Sequence, residues 1–186
     1  MTVGILMLAA GKAERFGSDK RLARLPAGGF LLQHSIDNAR ASGFELRVCV
    51  GASDTKLMAQ LDATGVCHIA CTQSHLGMGH TLAQGVSQIP PWDGLLVALG
   101  DMPYLRPKTF VAVAGALLPG AICVPRFNGI AGHPVGFSAE YFRHLRQLSG
   151  DSGARDILAK NSDSVLSLVL DDPGICRDID YPADLI

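Results

Sequence analysis

Short apolar runs alternate along this chain with stretches whose apolar residues recur at helical spacing. Val3–Leu8, Leu46–Val50, Val66–Cys71, Gly94–Leu99 and Ala121–Val124 are near-continuous apolar runs, the pattern of strands buried on both faces. Helical patterns lie between them. Phe30–Ala41 carries Leu31, Ile36 and Ala39 and is ended by Gly43. Thr55–Leu61 opens on Ser53 or Asp54 as cap, and Gly79–Ile89 is stopped by Pro90-Pro91. Pro107–Leu118 begins on a proline suited to a first helical turn. This alternation predicts an α/β fold: one domain over residues 1–186, a Rossmann-like three-layer sandwich whose mostly parallel sheet has helices on both faces. After Pro125 the pattern loosens. Val135–Phe137 reads as a strand, Ala139–Gln147 and Ala154–Lys160 as helices, and Ser164–Leu170 as an edge or antiparallel strand.

Composition narrows the class. With 186 residues and 48% hydrophobic content, the chain can bury an ample core. A net charge of −1 makes no electrostatic case for a nucleic-acid polymer as partner. Cys49, Cys67, Cys71, Cys123 and Cys176 include no Cys-x-x-Cys pair, and an odd number suggests no disulfide framework. A reducing, cytoplasmic location is expected. The first apolar run is short, lacks a basic leader and flows into a glycine loop, so it is expected to be a strand and not a signal peptide. No apolar stretch approaches the ~20 residues of a membrane span, and no membrane partner is expected.

The richest chemistry follows the first strand, in Leu8-Ala9-Ala10-Gly11 and on through Arg15 and Gly17 to Lys20. Glycines permit close backbone approach and positive φ. Free N–H groups of such a loop cradle phosphate oxygens, and Arg15 and Lys20 can add charge-assisted contacts. A surface loop with solvated charges is the plain alternative. The segment is neither a Walker loop nor a Gly-x-Gly-x-x-Gly dinucleotide loop. Leu99-Gly100-Asp101-Met102-Pro103 ends another strand, where Asp101 can hold Mg²⁺ or simply serve a turn. Ligands of open α/β sheets collect at such carboxyl ends, so both motifs can share one site.

The first loop, Leu-Ala-Ala-Gly-x-x-x-Arg-x-Gly-x-x-Lys, resembles the signature of nucleotidyltransferases that use a nucleoside triphosphate. It is most similar to the molybdenum-cofactor group, with its guanylyl- and cytidylyltransferases; Phe16 stands where Met is usual. Further segments resemble the same family in the same order. They are Gly100-Asp101-Met102-Pro103, Gly77-Met78-Gly79-His80-Thr81 through Gly85, Gly132-His133-Pro134, Gly150-Asp151-Ser152-Gly153-Ala154-Arg155, and Asp178-Ile179-Asp180-Tyr181-Pro182. Thr81 replaces the usual Ser, and Tyr181 and Ala183 depart from the family's ending.

The resemblance implies a fold of the nucleotide-diphospho-sugar transferase type and a set of roles. Arg15, Lys20 and Asp101 would be catalytic. Leu8, Ala9, Ala10, Gly11, Arg15, Gly17, Lys20, Gly77, Met78, Thr81 and Gly85 would bind the nucleotide. Gly132, His133, Pro134 and Asp151 would face the acceptor. Asp101 with Asp180, or with Asp178 instead, would hold Mg²⁺; a helix cap is the plain reading of Asp180. His80 could touch the nucleotide, though a solvated helix-start residue is the favoured reading, and the plain reading of His133 is a loop histidine bonded to backbone. Ala9-Ala10-Gly11 points to CTP and the family to molybdopterin as acceptor, with the recipient molybdoenzyme or its maturation factor as partner. The alternatives are a guanylyltransferase of the same cofactor, a cytidylyl- or uridylyltransferase on a sugar or polyol phosphate, and a non-catalytic cofactor-binding chaperone.

Overall fold

The computed structural model describes residues 1–11, 16–17 and 19–185. Strands β1 (Val3–Leu8), β2 (Glu45–Gly51), β3 (His68–Cys71) and β4 (Gly94–Leu99) lie parallel in the order β3-β2-β1-β4. After them come β5 (Ile122–Phe127), β6 (Ile130–Ala131) and β7 (Val135–Ser138). β7 inserts between β4 and β5, antiparallel to both. β8 (Val165–Val169) runs parallel to β5 at the sheet edge. The helices are α1 (Leu31–Ala41), α2 (Thr55–Ala63), α3 (Met78–Val86), α4 (Pro107–Ala116), α5 (Phe142–Leu145) and α6 (Arg155–Lys160).

Strand alternation explains the layers. Ile5 and Met7 of β1, with Leu96 and Ala98 of β4, face a core completed by Leu32 and Ile36 of α1, Leu61 of α2, and Phe110 and Val113 of α4. Leu6 and Leu8, with Leu95 and Val97, face Leu82 and Val86 of α3, Leu145 of α5 and Ile157 of α6 on the other side. Each of the larger side chains among these contributes roughly 1.5–3 kcal/mol of transfer free energy.

Several boundaries differ from the sequence reading. β3 starts at His68 because the Val66 N–H closes the end of α2 on Leu61 O (2.9 Å). α3 stops at Val86, where Ser87 Oγ donates back to Ala83 O (2.8 Å). The helix expected over residues 139–147 is a 3₁₀ turn, Ala139–Tyr141, running into four-residue α5, since its apolar residues bury only one turn. β6 escaped the reading altogether. Its signal was Asn128-Gly129, whose φ values of 49° and 81° make a two-residue hairpin turn. β8 is an edge strand but not antiparallel, for it returns to β5 after a crossover.

The topology places the site. β1 and β4 are paired as far as Leu8 and Leu99, so their carboxyl ends open side by side.

Candidate active site

The backbone leaving β1 is held on both flanks: Ala9 N–H donates to Cys49 O and Gly100 N–H to Leu8 O, each at 2.9 Å. Arg21 closes the loop where it returns. Its guanidinium donates to Ala9 O (3.0 Å), to both carboxylate oxygens of Asp19 (2.7 and 2.8 Å) and to Asp54. Burial works against that charge, but Asp19 and Asp54 outweigh it and hold Arg21 firmly protonated. Asp54 does occupy the N-cap position of α2, yet its side chain turns to Arg21 and to Gly51 N–H (3.1 Å) and does not cap the helix. Sequence reasoning missed this trio. Arg21 adjoins a predicted residue, but its pairing with Asp54 has no local signature.

Lys20 forms the second cluster. Its ammonium donates to Asp101 Oδ2 (2.8 Å), Asp180 Oδ1 (3.0 Å) and Ile179 O (3.0 Å). Burial opposes the charge, but the two carboxylates overcome it and raise the Lys20 pKa. Burial pushes the Asp101 carboxyl up, with nearby Asp178 adding to the shift and Lys20 opposing it. The distant tail residues arrive by a defined route. Buried Asp172 accepts from Gly174 N–H (3.0 Å), Arg106 N–H (3.1 Å) and Thr109 Oγ (2.6 Å), tying the tail to the start of α4. Ile179, fully buried, then donates its N–H to Asp101 O (3.0 Å). Asp178 and Asp180 therefore flank Asp101.

A cavity of about 530 Å³ is lined by Leu8, Ala9, Ala10, Gly11, Lys20, Gly77, Met78, Thr81, Asp101, Asp151 and Asp180, with Arg21. It continues past Ala10 and Gly11 into a recess of about 810 Å³ bordered by Gly17, Gly51 and Asp54. Arg15 lies outside the described residues. Gly85 does not line either space. It packs in the core, where an added Cβ would press on Cys49 Sγ at 2.6 Å and a Leu6 methyl at 2.8 Å. Its role is close helix–sheet packing, which corrects the expectation that it contacts nucleotide.

On the other side of Asp101 and Asp180 a cavity of about 670 Å³ opens, lined by Gly132 and His133 over an apolar floor that includes Val124, Val135 and Phe137. Pro134 is buried beside it without lining it. Asp151, expected to face the acceptor, instead sits against Gly77 and lines the cavity behind the glycine loop. The reason is a clamp: Gly79 N–H donates to Gly150 O (2.7 Å) and Gly150 N–H to His80 Nδ1 (3.0 Å). His80 is thus a structural partner of the 149–153 turn and not a solvated helix-start residue. The His133 backbone N–H donates to Ile175 O (2.9 Å), and the residue lines the cavity. Burial pulls the His133 pKa down to about 4; Asp178 opposes this and Arg155 reinforces it, so the ring is neutral at pH 7.

A hard divalent cation fits the donor set. Asp101 Oδ1 is buried without a hydrogen-bond partner, and Asp178 and Asp180 add only carboxylate oxygens. Among the described residues no three acidic, histidine or cysteine side chains converge as a metal cage. The protein would therefore supply one or two ligands, leaving the rest to phosphate and water.

Comparison with known proteins places the chain in a family. Residues 5–165 match the MobA-like NTP transferase domain. The purine catabolism protein PucB of Bacillus subtilis is 30% identical over 96% of this chain and 92% of its own. Rv0371c of Mycobacterium tuberculosis superposes with a TM-score of 0.83 at 26% identity, covering 99% of this chain and 95% of that one. A second structure of Rv0371c, a complex with manganese, superposes at 0.78 with 25% identity, covering 99% and 96%. A nucleotidyl transferase from Methanothermobacter, Mth528, shares the fold at 18% identity and a TM-score of 0.84, over 98% of this chain and 94% of its own. The length of the family match and the full-length kinship with PucB make this chain a member of the MobA-like NTP transferase family, a family of nucleotidyltransferases.

Proposed function

We propose that this protein transfers CMP from CTP to molybdopterin with release of pyrophosphate, using Mg²⁺. The observation that carries the reading is the meeting of two cavities at Asp101 and Asp180: one behind the glycine loop and a larger, apolar-floored one beyond. An acceptor phosphate oxygen in the second cavity attacks the α-phosphorus of CTP in the first. The new P–O bond forms as the bond to the β-phosphate breaks, and pyrophosphate takes the displaced electron pair. A phosphate anion needs no general base, so positioning and charge neutralisation are the main requirements. Ala9–Gly11 would approach the triphosphate with backbone N–H groups, and Arg15 and Lys20 would balance the leaving charge. Asp101, with Asp180 or Asp178, would hold Mg²⁺, which supplies Lewis-acid neutralisation of the reacting phosphates. Gly77, Met78 and Thr81 would frame the ribose, and Gly132 and His133 the acceptor.

CTP is favoured by the Ala10 methyl, which borders both the loop cavity and its outer recess and leaves less room for a purine. No helix among the described residues is long and apolar enough to cross a membrane. Five cysteines without disulfides agree with a reducing cytoplasm, where a recipient molybdoenzyme or its maturation factor would take the product.

The test is a panel of four NTPs with molybdopterin, followed by pyrophosphate release, for wild type, Ala10→Gly and Asp101→Asn. CTP should be preferred, Ala10→Gly should admit GTP modestly, and Asp101→Asn should lose about a thousandfold in turnover while still binding CTP. A wild-type preference for GTP would move the protein to the guanylyl branch. Absence of release with every NTP would leave a cofactor-binding chaperone.

A further inference from the structure

The acceptor cavity has an uneven charge. Among the described residues its lining includes three carboxylates, Asp101, Asp178 and Asp180, and one guanidinium, Arg155. A phosphate monoester entering this space meets repulsion from all three acids. A metal ion held by Asp101 would offset part of that repulsion.

Arg155 is held in place by its backbone, and its head group is uncommitted. The turn before it is pinned to α3 by Gly79 N–H on Gly150 O and by Gly150 N–H on His80. Behind it Ile157 is buried in the core. The Arg155 backbone N–H is directed to Ser152 O, whereas its guanidinium has no hydrogen-bond or ion-pair partner among the described residues. Three carboxylates line the same cavity, and the arginine has not paired with them. It also does not line the cavity behind the glycine loop, so it is not placed to hold the triphosphate. A planar guanidinium with a free donor fork matches two phosphate oxygens, and Ser152 lies in the same wall.

We infer that Arg155 is the anchor for the acceptor's phosphate, setting specificity for a phosphorylated acceptor independently of the nucleotide. This rests on the transfer reaction proposed above and adds the residue that recognises its nucleophile. Binding by two parallel N–H···O bonds would orient one remaining phosphate oxygen toward the α-phosphorus, and lysine could not reproduce that orientation.

The experiment measures equilibrium binding of three probes to wild type, Arg155→Ala and Arg155→Lys: CTP, inorganic phosphate, and a stable pterin phosphate beside its dephosphorylated form. Wild type should favour the phosphorylated pterin, and Arg155→Ala should lose about ten- to hundredfold in its affinity. The dephosphorylated pterin and CTP should bind both proteins equally, which also shows that the variant is folded. Arg155→Lys should recover part of the affinity but little of kcat. Inorganic phosphate separates the two readings. If wild type binds phosphate through Arg155 but ignores the pterin phosphate, the molybdopterin reading fails and the anchor stands. Equal weakening of both pterin forms, or phosphate binding unchanged in Arg155→Ala, would overturn the anchor.

Discussion

Every directed contact of the Lys20 ammonium is to a group brought from far along the chain. As a salt bridge it is partly buried, with side-chain exposure of 16% against 23% for Asp101. Removing the ammonium leaves two neighbouring carboxylates without their counter-charge, and such losses exceed the net worth of the pair. Lys20→Met should therefore lower both the melting temperature and kcat/KM for CTP, the latter by about ten- to hundredfold. A residue acting on triphosphate alone would change kinetics without changing the melt, so thermal unfolding beside steady-state kinetics distinguishes the roles. The lysine was visible in the sequence as a basic residue of a glycine loop. Its bonds to Asp101 and Asp180 were not, since those partners lie 81 and 160 residues further along the chain.

At the scale of elements, two glycines show what the loops require. Gly77 has φ +120°, and an added Cβ would run into Gly150 O and Asp151. Gly77→Ala should cost about 1–3 kcal/mol through strain and collision, and it should loosen the clamp between α3 and the 149–153 turn. Gly11 is different: its φ is not in the left-handed region, and among the described residues an added Cβ meets nothing within 4 Å. Gly11→Ala should leave the urea midpoint nearly unchanged and weaken CTP binding if the loop backbone approaches phosphate. Urea unfolding with CTP titration on both variants checks the contrast. Most elements were legible because buried parallel strands leave unbroken apolar runs. β6 and the direction of β8 were less so, because a two-residue strand and an edge strand carry few buried positions.

At the scale of the whole molecule, stability should depend on pH through His133. Its folded pKa is about 4, below the 6.5 of the free ring, because burial disfavours the cation. The unfolded chain therefore takes up a proton first as pH falls. The associated stability is fully present above about pH 6.5 and is lost as pH drops toward 4, by an amount of the order of 3 kcal/mol. His133→Gln, neutral throughout, should flatten that part of the profile. Chemical denaturation of both proteins between pH 4 and 7.5 measures it, and parallel profiles would remove His133 as the cause.

The sequence by itself determined the layered α/β architecture, since the spacing of apolar residues is a local property set by strand and helix periods. It also marked the glycine loop, Asp101 and the segment beginning at Gly77, because each follows a recognisable strand end. Tertiary structure decided which side chains meet. It carried Asp180 to Lys20, turned Asp54 from a helix cap to a partner of Arg21, moved Asp151 to Gly77 and put Gly85 into the core. These pairings join residues separated by tens of positions, and they follow from sheet order, crossover paths and the pinned tail, none of which leaves a repeating mark in the chain.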